Sequence, residues 1–139
     1  MVAFNKFNAF VENVAEKVHN LGSDTLMVAL TNTAPSAANS VLADITQIAA
    51  GNGYSSGGSQ AVQSSSAQTS GTYKLVLADV VFTASGGAMA THRYAVLYNG
   101  TAAGGPLIGY WDKGSAIDLA VGETTTVDFD PTNGVLTLA

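Results

Sequence analysis

The chain has 139 residues, no cysteine and a net charge of −5, and only 11% of its residues are charged, against about 25% in typical soluble domains. The length favours one domain, and the missing cysteines exclude disulfides and thiolate metal sites. The five basic residues are dispersed, which argues against a nucleic-acid surface, and no apolar run is long enough to predict a membrane span.

The first residues predict an amphipathic helix over residues 3–21. The apolar positions at helical spacing are Phe4, Phe7, Val11, Val14, Val18 and Leu21. Gaps of three and four residues place all six on one stripe, and Gly22 stands where a helix ends in the left-handed conformation. We therefore assign residues 1–22 to an N-terminal helix whose apolar stripe covers either its own sheet or a partner.

The next segment predicts a strand over residues 25–31, followed by a turn-rich connection. Residues 42–50 predict a short helix with Asp44 as its cap. Residues 51–71 are rich in glycine and serine, which predicts a loop with a short strand near 60–65.

The second half of the sequence predicts a series of short strands separated by turns that contain Gly, Asn and Pro. The predicted strands are 72–82, 91–98, 106–112, 117–120, 124–129 and 135–138. Strands at such spacing are typical of antiparallel sandwiches and jelly rolls. The whole chain, 1–139, is thus predicted to be a single jelly-roll-like domain, mainly β, with the helix laid on a β-sandwich over residues 23–139.

Residues that could do chemistry are few. Only His19 and His92 can serve as the base of a nucleophile, and no G-x-S-x-G elbow accompanies them. His19 falls near the predicted helix end, where a capping or surface role is favoured. His92 begins a predicted strand, and a non-catalytic role is favoured there as well. We predict no catalytic residue.

Two further segments resemble ligand-binding loops only in part. The spacing of Gly51, Gly53 and Gly57 is similar to that of a phosphate-binding loop. Such a loop follows a strand and precedes a helix, whereas the predicted order here is reversed. Residues 128–134 offer the oxygen ligands of half a calcium loop without its closing glutamate, and they also make a good hairpin turn, which we favour. We predict no cofactor and no metal.

The aromatic residues of the second half leave two interpretations open. Strand alternation places Tyr94 and Tyr98 on one face and Ala95 and Leu97 on the other. Core packing or a protein interface explains the tyrosines at least as well as a sugar-binding platform, for which Tyr110 and Trp111 would be the candidates.

Several blocks of the chain resemble small virion proteins of tailed bacteriophages. They are residues 19–35 (HNLGSDTLMVALTNTAP), 42–54 (LADITQIAAGNGY), 68–80 (QTSGTYKLVLADV), 93–112 (RYAVLYNGTAAGGPLIGYWD) and the ending GETTTVDFDPTNGVLTLA. In its overall sequence pattern the chain resembles the jelly-roll capsid cement, or decoration, proteins of Bordetella-type podophages. The resemblance implies a non-enzymatic protein that binds the outside of the assembled head as a homodimer bridging adjacent major-capsid capsomers.

From this resemblance we expect a structural virion protein on the capsid exterior, assembled in the host cytoplasm. Its expected partners are the major capsid protein and further copies of itself, as a homodimer or a trimer, with no nucleic acid and no membrane. We predict the interface at Phe4, Phe7 and Val11 and at the Gly/Ser segment, with ordinary core packing of the same three side chains as an equal alternative. A tail- or tube-associated structural protein and a carbohydrate-binding jelly-roll module are the other interpretations.

Overall fold

The computed structural model describes residues 3–139. Ten strands, one α-helix and one short 3₁₀ turn make up its regular structure in this range. In chain order they are β1 (Asn5–Lys6), α1 (Asn8–Ala15), β2 (Leu26–Thr31), the 3₁₀ turn (Leu42–Asp44), β3 (Ser59–Ala61), β4 (Gln63–Thr69), β5 (Thr72–Leu77), β6 (Val80–Thr83), β7 (Met89–Asn99), β8 (Leu107–Leu119), β9 (Thr124–Val127) and β10 (Leu136–Leu138).

The strands form three antiparallel sheets. The largest has the order β1-β8-β7-β2-β3, the second has the order β10-β5-β4, and β6 pairs with β9 in the third. One cluster of buried apolar side chains joins all three sheets. The predicted fold class, an antiparallel β-sandwich with an N-terminal helix, is therefore confirmed.

The main core consists of alternate side chains of facing strands. On β2 the contributors are Leu26, Val28 and Leu30, all fully buried, and β5 supplies Leu75 and Leu77. Further members are Val80, Phe82, Ala95, Leu97, Ile108, Trp111, Val127 and Phe129. Because successive side chains of a strand point to opposite faces, the contributors from β2 and from β5 are two residues apart.

A second, smaller core covers the opposite face of the five-stranded sheet. Its members from the sheet are Ala29, Val96, Tyr98 and Leu107. Phe7, just before α1, and Ile45, just after the 3₁₀ turn, complete this core from outside the sheet. The large sheet is thus buried on both faces, which explains the nearly continuous burial of β2 and of the end of β7.

The N-terminal helix is shorter than predicted. Its predicted residues 1 and 2 lie outside the described range, and Asn5 and Lys6 form β1, which pairs with Tyr110 and Gly109 of β8. The helix ends at Ala15, and Lys17 then adopts a left-handed φ of 65°. The prediction of Gly22 as the helix end is therefore wrong, because the backbone turns five residues earlier.

The Gly/Ser segment, predicted as a loop with a short strand near residues 60–65, contains two strands. β3 pairs with β2, and β4 pairs with β5 through a hairpin. Ser70 and Gly71 form its two-residue turn with φ values of 50° and 83°, as a type I′ turn requires. The predicted strand near 60–65 overlaps both β3 and β4, but the prediction missed the extent of β4, because pairing with a neighbour rather than side-chain apolarity holds β4 in the sheet.

Four other predicted elements are divided, merged or shortened. The predicted strand 72–82 is broken at Ala78 and Asp79 into β5 and β6, and the predicted strands 106–112 and 117–120 are one strand, β8. The predicted helix 42–50 is reduced to the 3₁₀ turn, in which the Asp44 carboxylate accepts the N–H groups of Ser40 and Val41 at 2.9 and 3.2 Å. Within the described range, every helix is too short or too polar to cross a membrane.

Candidate functional site

His19 is a buried structural residue in this fold. It is only 7% exposed and lies beyond the end of α1, so the predicted capping or surface role is wrong. The Asn99 amide nitrogen lies 3.1 Å from His19 Nδ1 and donates to Asp24 Oδ2 at 2.6 Å. Asn99 Oδ1 accepts the N–H groups of Thr101 and Ala102, which fixes the amide so that its nitrogen faces the ring. Burial lowers the pKa of His19, with Asp24 opposing the shift.

His92 is fully buried in β7. Its Nδ1 lies 3.4 Å from the carbonyl oxygen of Ala90, and burial lowers the pKa of the ring. Within residues 3–139, no serine or threonine hydroxyl hydrogen-bonds to either histidine. The structure therefore does not bring either ring into the nucleophile–base pair that covalent catalysis requires.

The charged side chains of β7 and β8 are held by contacts within the fold. Arg93 donates to both carboxylate oxygens of Asp112, from Nε at 2.8 Å and from Nη2 at 3.0 Å. Hydrogen bonding with Arg93, and secondly with the N–H of Gly114, lowers the pKa of Asp112. Lys113 lies half-buried and donates to Thr125 Oγ1 at 3.2 Å, and its burial lowers its pKa. The Arg93–Asp112 pair thus joins β7 to β8, and Lys113 joins β8 to β9.

The half calcium loop is a hydrogen-bonded turn. Asp130 Oδ1 accepts the N–H groups of Thr132 and Asn133 at 2.8 and 2.9 Å, and Oδ2 accepts the Asn133 amide at 2.8 Å. This is the turn geometry favoured from the sequence. Across the described range, acidic and histidine side chains do not gather into a cluster of three that would hold a metal ion.

A surface pocket of about 440 Å³ opens beside His19. Apolar side chains of Val14, Val18 and Leu138 line it together with Asp24 and Ser66. The Asp24 Oδ2 atom already accepts the Asn99 amide and the N–H of Asn20 at 2.8 Å. The pocket wall therefore contributes to the packing of residues 19–24.

The aromatic residues considered for a sugar platform are largely packed inside. Trp111 is 6% exposed and contacts Phe4 and Phe129 with ring centroids 5.4 and 5.3 Å apart. Tyr110 packs on Phe7 at 5.2 Å. Tyr98 belongs to the second core, whereas Ala95 and Leu97 belong to the main core, as alternation predicted.

The three predicted interface residues separate into different environments. Phe7 is fully buried in the second core, and Phe4 packs on Trp111 over Gly109, where an added Cβ would overlap the Phe4 ring. Val11 is 52% exposed on α1. Core packing, the alternative left open from the sequence, therefore describes Phe7, whereas Phe4 is partly buried against the main core and Val11 is exposed.

The free edge of β4 lies within the Gly/Ser segment that was predicted as part of the interface, but the sequence did not predict that this segment forms a sheet edge. β4 pairs only with β5 among the described strands, and residues 64–69 are exposed throughout. The strand, QSSSAQT, contains no charged residue and no proline. Exposed edges normally carry such residues, which prevent pairing with other chains.

Other strand edges in the described range are shorter than β4 or carry charged residues that oppose pairing with another chain. β1, β3 and β10 have two or three residues each. β8 carries Asp112, Lys113 and Asp118 beyond its pairing with β1. The ammonium group of Lys113 donates a hydrogen bond to Thr125 of the neighbouring strand β9. β4 is therefore the longest edge without a charged side chain among residues 3–139. The only sequence signal for it was the uncharged Ser/Thr/Gln run itself.

Comparisons with known proteins identify no relative of the chain. No protein-family model matches it, no curated protein matches it, and no solved structure matches it. Inference of function therefore depends on the sequence resemblance and on the surfaces described above.

Proposed function

We propose that this protein is a structural virion component that binds the outside of a phage head and bridges adjacent major-capsid capsomers. The resemblance to jelly-roll cement proteins motivates the proposal. The β-sandwich fold is compatible with it, and so is the engagement of both histidines in internal packing. The protein acts by adhesion, and no covalent step is required.

The observation that carries the proposal is the combination of a charge-poor exterior with a free, uncharged sheet edge. Only 11% of the residues are charged, and β4 exposes an edge without a guarding charge. A protein that works as an isolated monomer is normally protected against association at such an edge. In a repetitive assembly the same feature is useful, because it provides backbone groups for pairing with another strand.

Weak contacts are sufficient for this role. A shell presents many identical sites, so a protein that holds two sites at once gains effective concentration at the second. A surface rich in serine, threonine and glycine also loses little charge solvation when it approaches another protein. Many modest contacts across capsomer joints then add up to a stabilised shell.

Binding to purified particles tests the proposal. Purified protein is mixed with mature heads, with tails and with free capsid subunits, and each particle is sedimented. We expect saturable binding to mature heads and none to tails or free subunits. Binding to tails alone would favour the tail-associated interpretation. Binding only to a glycan panel would favour the carbohydrate-binding one. Either result would overturn the proposal.

A pair of variants tests the predicted head contact at α1. Val11→Asp places a charge on the exposed predicted contact, and Val121→Asp is the control, since Val121 is also exposed, at 64%, but lies in the turn before β9. We expect weaker head binding for Val11→Asp alone. Equal binding by both variants would remove α1 from the interface.

A further inference from the structure

We infer that Asn52 is a deamidation site, at which the folded chain converts asparagine to aspartate and isoaspartate faster than at its other Asn-Gly sequences. The three such sequences are Asn52-Gly53, Asn99-Gly100 and Asn133-Gly134. A following glycine offers the least hindered main-chain nitrogen for attack on the side-chain amide. The three sites are therefore alike in sequence, and the fold distinguishes them. The inference does not depend on the proposed function.

The reaction needs only water and the atoms of the chain itself. The Gly53 main-chain nitrogen loses its proton to hydroxide and attacks Cγ of Asn52. The Cγ–Nδ2 bond then breaks, and the leaving group takes a proton from water and departs as ammonia. Water adds to one of the two carbonyl carbons of the resulting five-membered imide. Cleavage of the bond between nitrogen and Cγ gives aspartate, whereas cleavage of the bond to the main-chain carbon gives isoaspartate.

Asn52 and Gly53 are the two central residues of a tight turn. Gly51 and Tyr54 close the turn by exchanging main-chain hydrogen bonds of 2.7 and 3.2 Å. The φ values of 54° and 100° at the central residues are those of a type I′ turn. In this geometry the Gly53 nitrogen lies nearly opposite Cβ of Asn52 about the Cα–C bond, so the central peptide rotates before the ring closes.

That rotation converts the turn to type II′ and brings the reacting atoms together. Type II′ keeps φ of the first central residue positive and changes its ψ from about +30° to about −120°. At this second value the Gly53 nitrogen eclipses Cβ of Asn52, as a five-membered ring requires. Glycine accepts the change of φ from positive to negative that the rotation imposes on the second central residue, while residues 51 and 54 stay paired.

Two hydrogen bonds oppose the rotation and the attack. The Asn52 carbonyl oxygen accepts the N–H of Ser85 at 3.1 Å, and its amide nitrogen donates to the carbonyl oxygen of Ala88 at 2.9 Å. The attacking group is not engaged, because the Gly53 N–H has no acceptor among residues 3–139. Both turn residues are exposed, so hydroxide reaches the nitrogen. The reaction therefore requires no opening of the core.

The other two sites are held at the attacking nitrogen itself. The Gly100 N–H donates to the carbonyl oxygen of Thr25 at 2.8 Å, and the asparagine before it is fully buried. The Gly134 N–H donates to the carbonyl oxygen of Asp130 at 3.0 Å. The Asp130 carboxylate also accepts both the main-chain N–H and the side-chain amide of the intervening asparagine. Attack at either site requires local unfolding, which slows it.

Conversion of Asn52 loosens the segment that precedes β7. The intact side chain donates to Ala88 and lies over Gly87, where an added Cβ would come within 2.8 Å of it. A carboxylate in this place cannot donate and is repelled by the carbonyl oxygen, and it adds one negative charge to a chain of net charge −5. The isoaspartyl product also routes the main chain of the turn through Cβ.

Peptide mass spectrometry compares the three sites within one sample. The protein is incubated in warm, mildly alkaline buffer with and without urea. Trypsin then releases the three sequences in separate peptides, residues 18–74, 94–113 and 114–139, and fragmentation locates the converted residue. In the folded protein we expect Asn52 to react at least about tenfold faster than Asn99 or Asn133. In urea we expect the three rates to become nearly equal.

A pair of variants tests the assignment on the intact protein. Ion-exchange chromatography separates the more acidic product, which we expect to be lost in Asn52→Gln and kept in Asn133→Gln, because glutamine closes a larger imide ring more slowly. Equal formation of this product in both variants overturns the inference, and so does faster reaction of Asn99 or Asn133 in the folded protein. A lead of Asn52 that persists unchanged in urea, or a folded protein in which no site reacts while all three react in urea, also overturns it.

Discussion

Replacing Phe7 by alanine separates a core role from an interface role at a residue for which the sequence allowed both. Phe7 is fully buried, and its ring lies 5.2 Å from that of Tyr110. A buried phenylalanine removes roughly 150–250 Å² from water, worth about 25 cal/mol per Å². Because alanine retains part of this area and leaves a cavity, we expect Phe7→Ala to lower the free energy of unfolding by about 3–5 kcal/mol.

The assays are chemical denaturation, for the free energy of unfolding, and thermal denaturation, for the melting temperature, both followed by the fluorescence of Trp111. A domain of this size has a total stability of roughly 5–15 kcal/mol, so a loss of about 4 kcal/mol lowers the melting temperature by roughly 10–15 °C. Val11→Ala is the matched control, since Val11 is 52% exposed and its truncation changes stability by about 0.5 kcal/mol or less.

The opposite pattern would contradict a core role for Phe7. If Phe7→Ala unfolds within about 1 kcal/mol of the wild type but loses head binding, then Phe7 is an interface residue and the second core does not depend on it. A loss of stability together with normal head binding in the folded fraction supports the core role.

Three further predictions concern stability. Burial lowers the pKa of both histidines from the ordinary value of 6.5, so the unfolded chain binds more protons and stability falls as the pH drops below about 6.5. Denaturation midpoints between pH 7.5 and pH 5 should show this, with a smaller slope in His92→Gln. Gly58→Ala should cost more than about 3 kcal/mol, because φ is +79° and the added Cβ overlaps a backbone carbonyl of β2. Gly122→Ala, with φ of +87° and open space, should cost only about 1–2 kcal/mol, and equal losses would contradict this account. Tyr54→Phe should cost about 1–3 kcal/mol, because the Leu30 N–H loses its 3.2 Å partner, and an unchanged urea midpoint would contradict this. Burial raises the pKa of Tyr54 from 10.0 to about 12, so the ultraviolet absorbance of this phenol should change at a higher pH than that of an ordinary tyrosine.

The strands with apolar runs were predictable, whereas the bounds of the N-terminal helix were not. β2 and the last five residues of β7 are almost entirely buried, and their apolar runs predicted strands at these places. The spacing of Phe4, Phe7 and Val11 fits one helical face. This spacing cannot predict that Asn5 and Lys6 form sheet hydrogen bonds with β8 instead. Tertiary pairing therefore overrides a helical period in this segment.

The candidate surface lies where sequence patterns carry the least information. β4 has one apolar residue, Ala67, among seven, so it shows neither a helical nor a strand period. Its place in the sheet depends on β5, whose apolar side chains Leu75 and Leu77 were recognisable. The two histidines were found as candidates, but their burial depends on contacts between distant segments, such as that of His19 with Asn99.

Occupancy on intact particles shows directly whether the protein adheres to a protein lattice. Purified protein is added to mature heads that lack it, and cryo-electron microscopy of the particles measures density on the shell. Our account predicts ordered density on the exterior at the joints between capsomers, repeated with the symmetry of the lattice. Bare shells at saturating protein would contradict it.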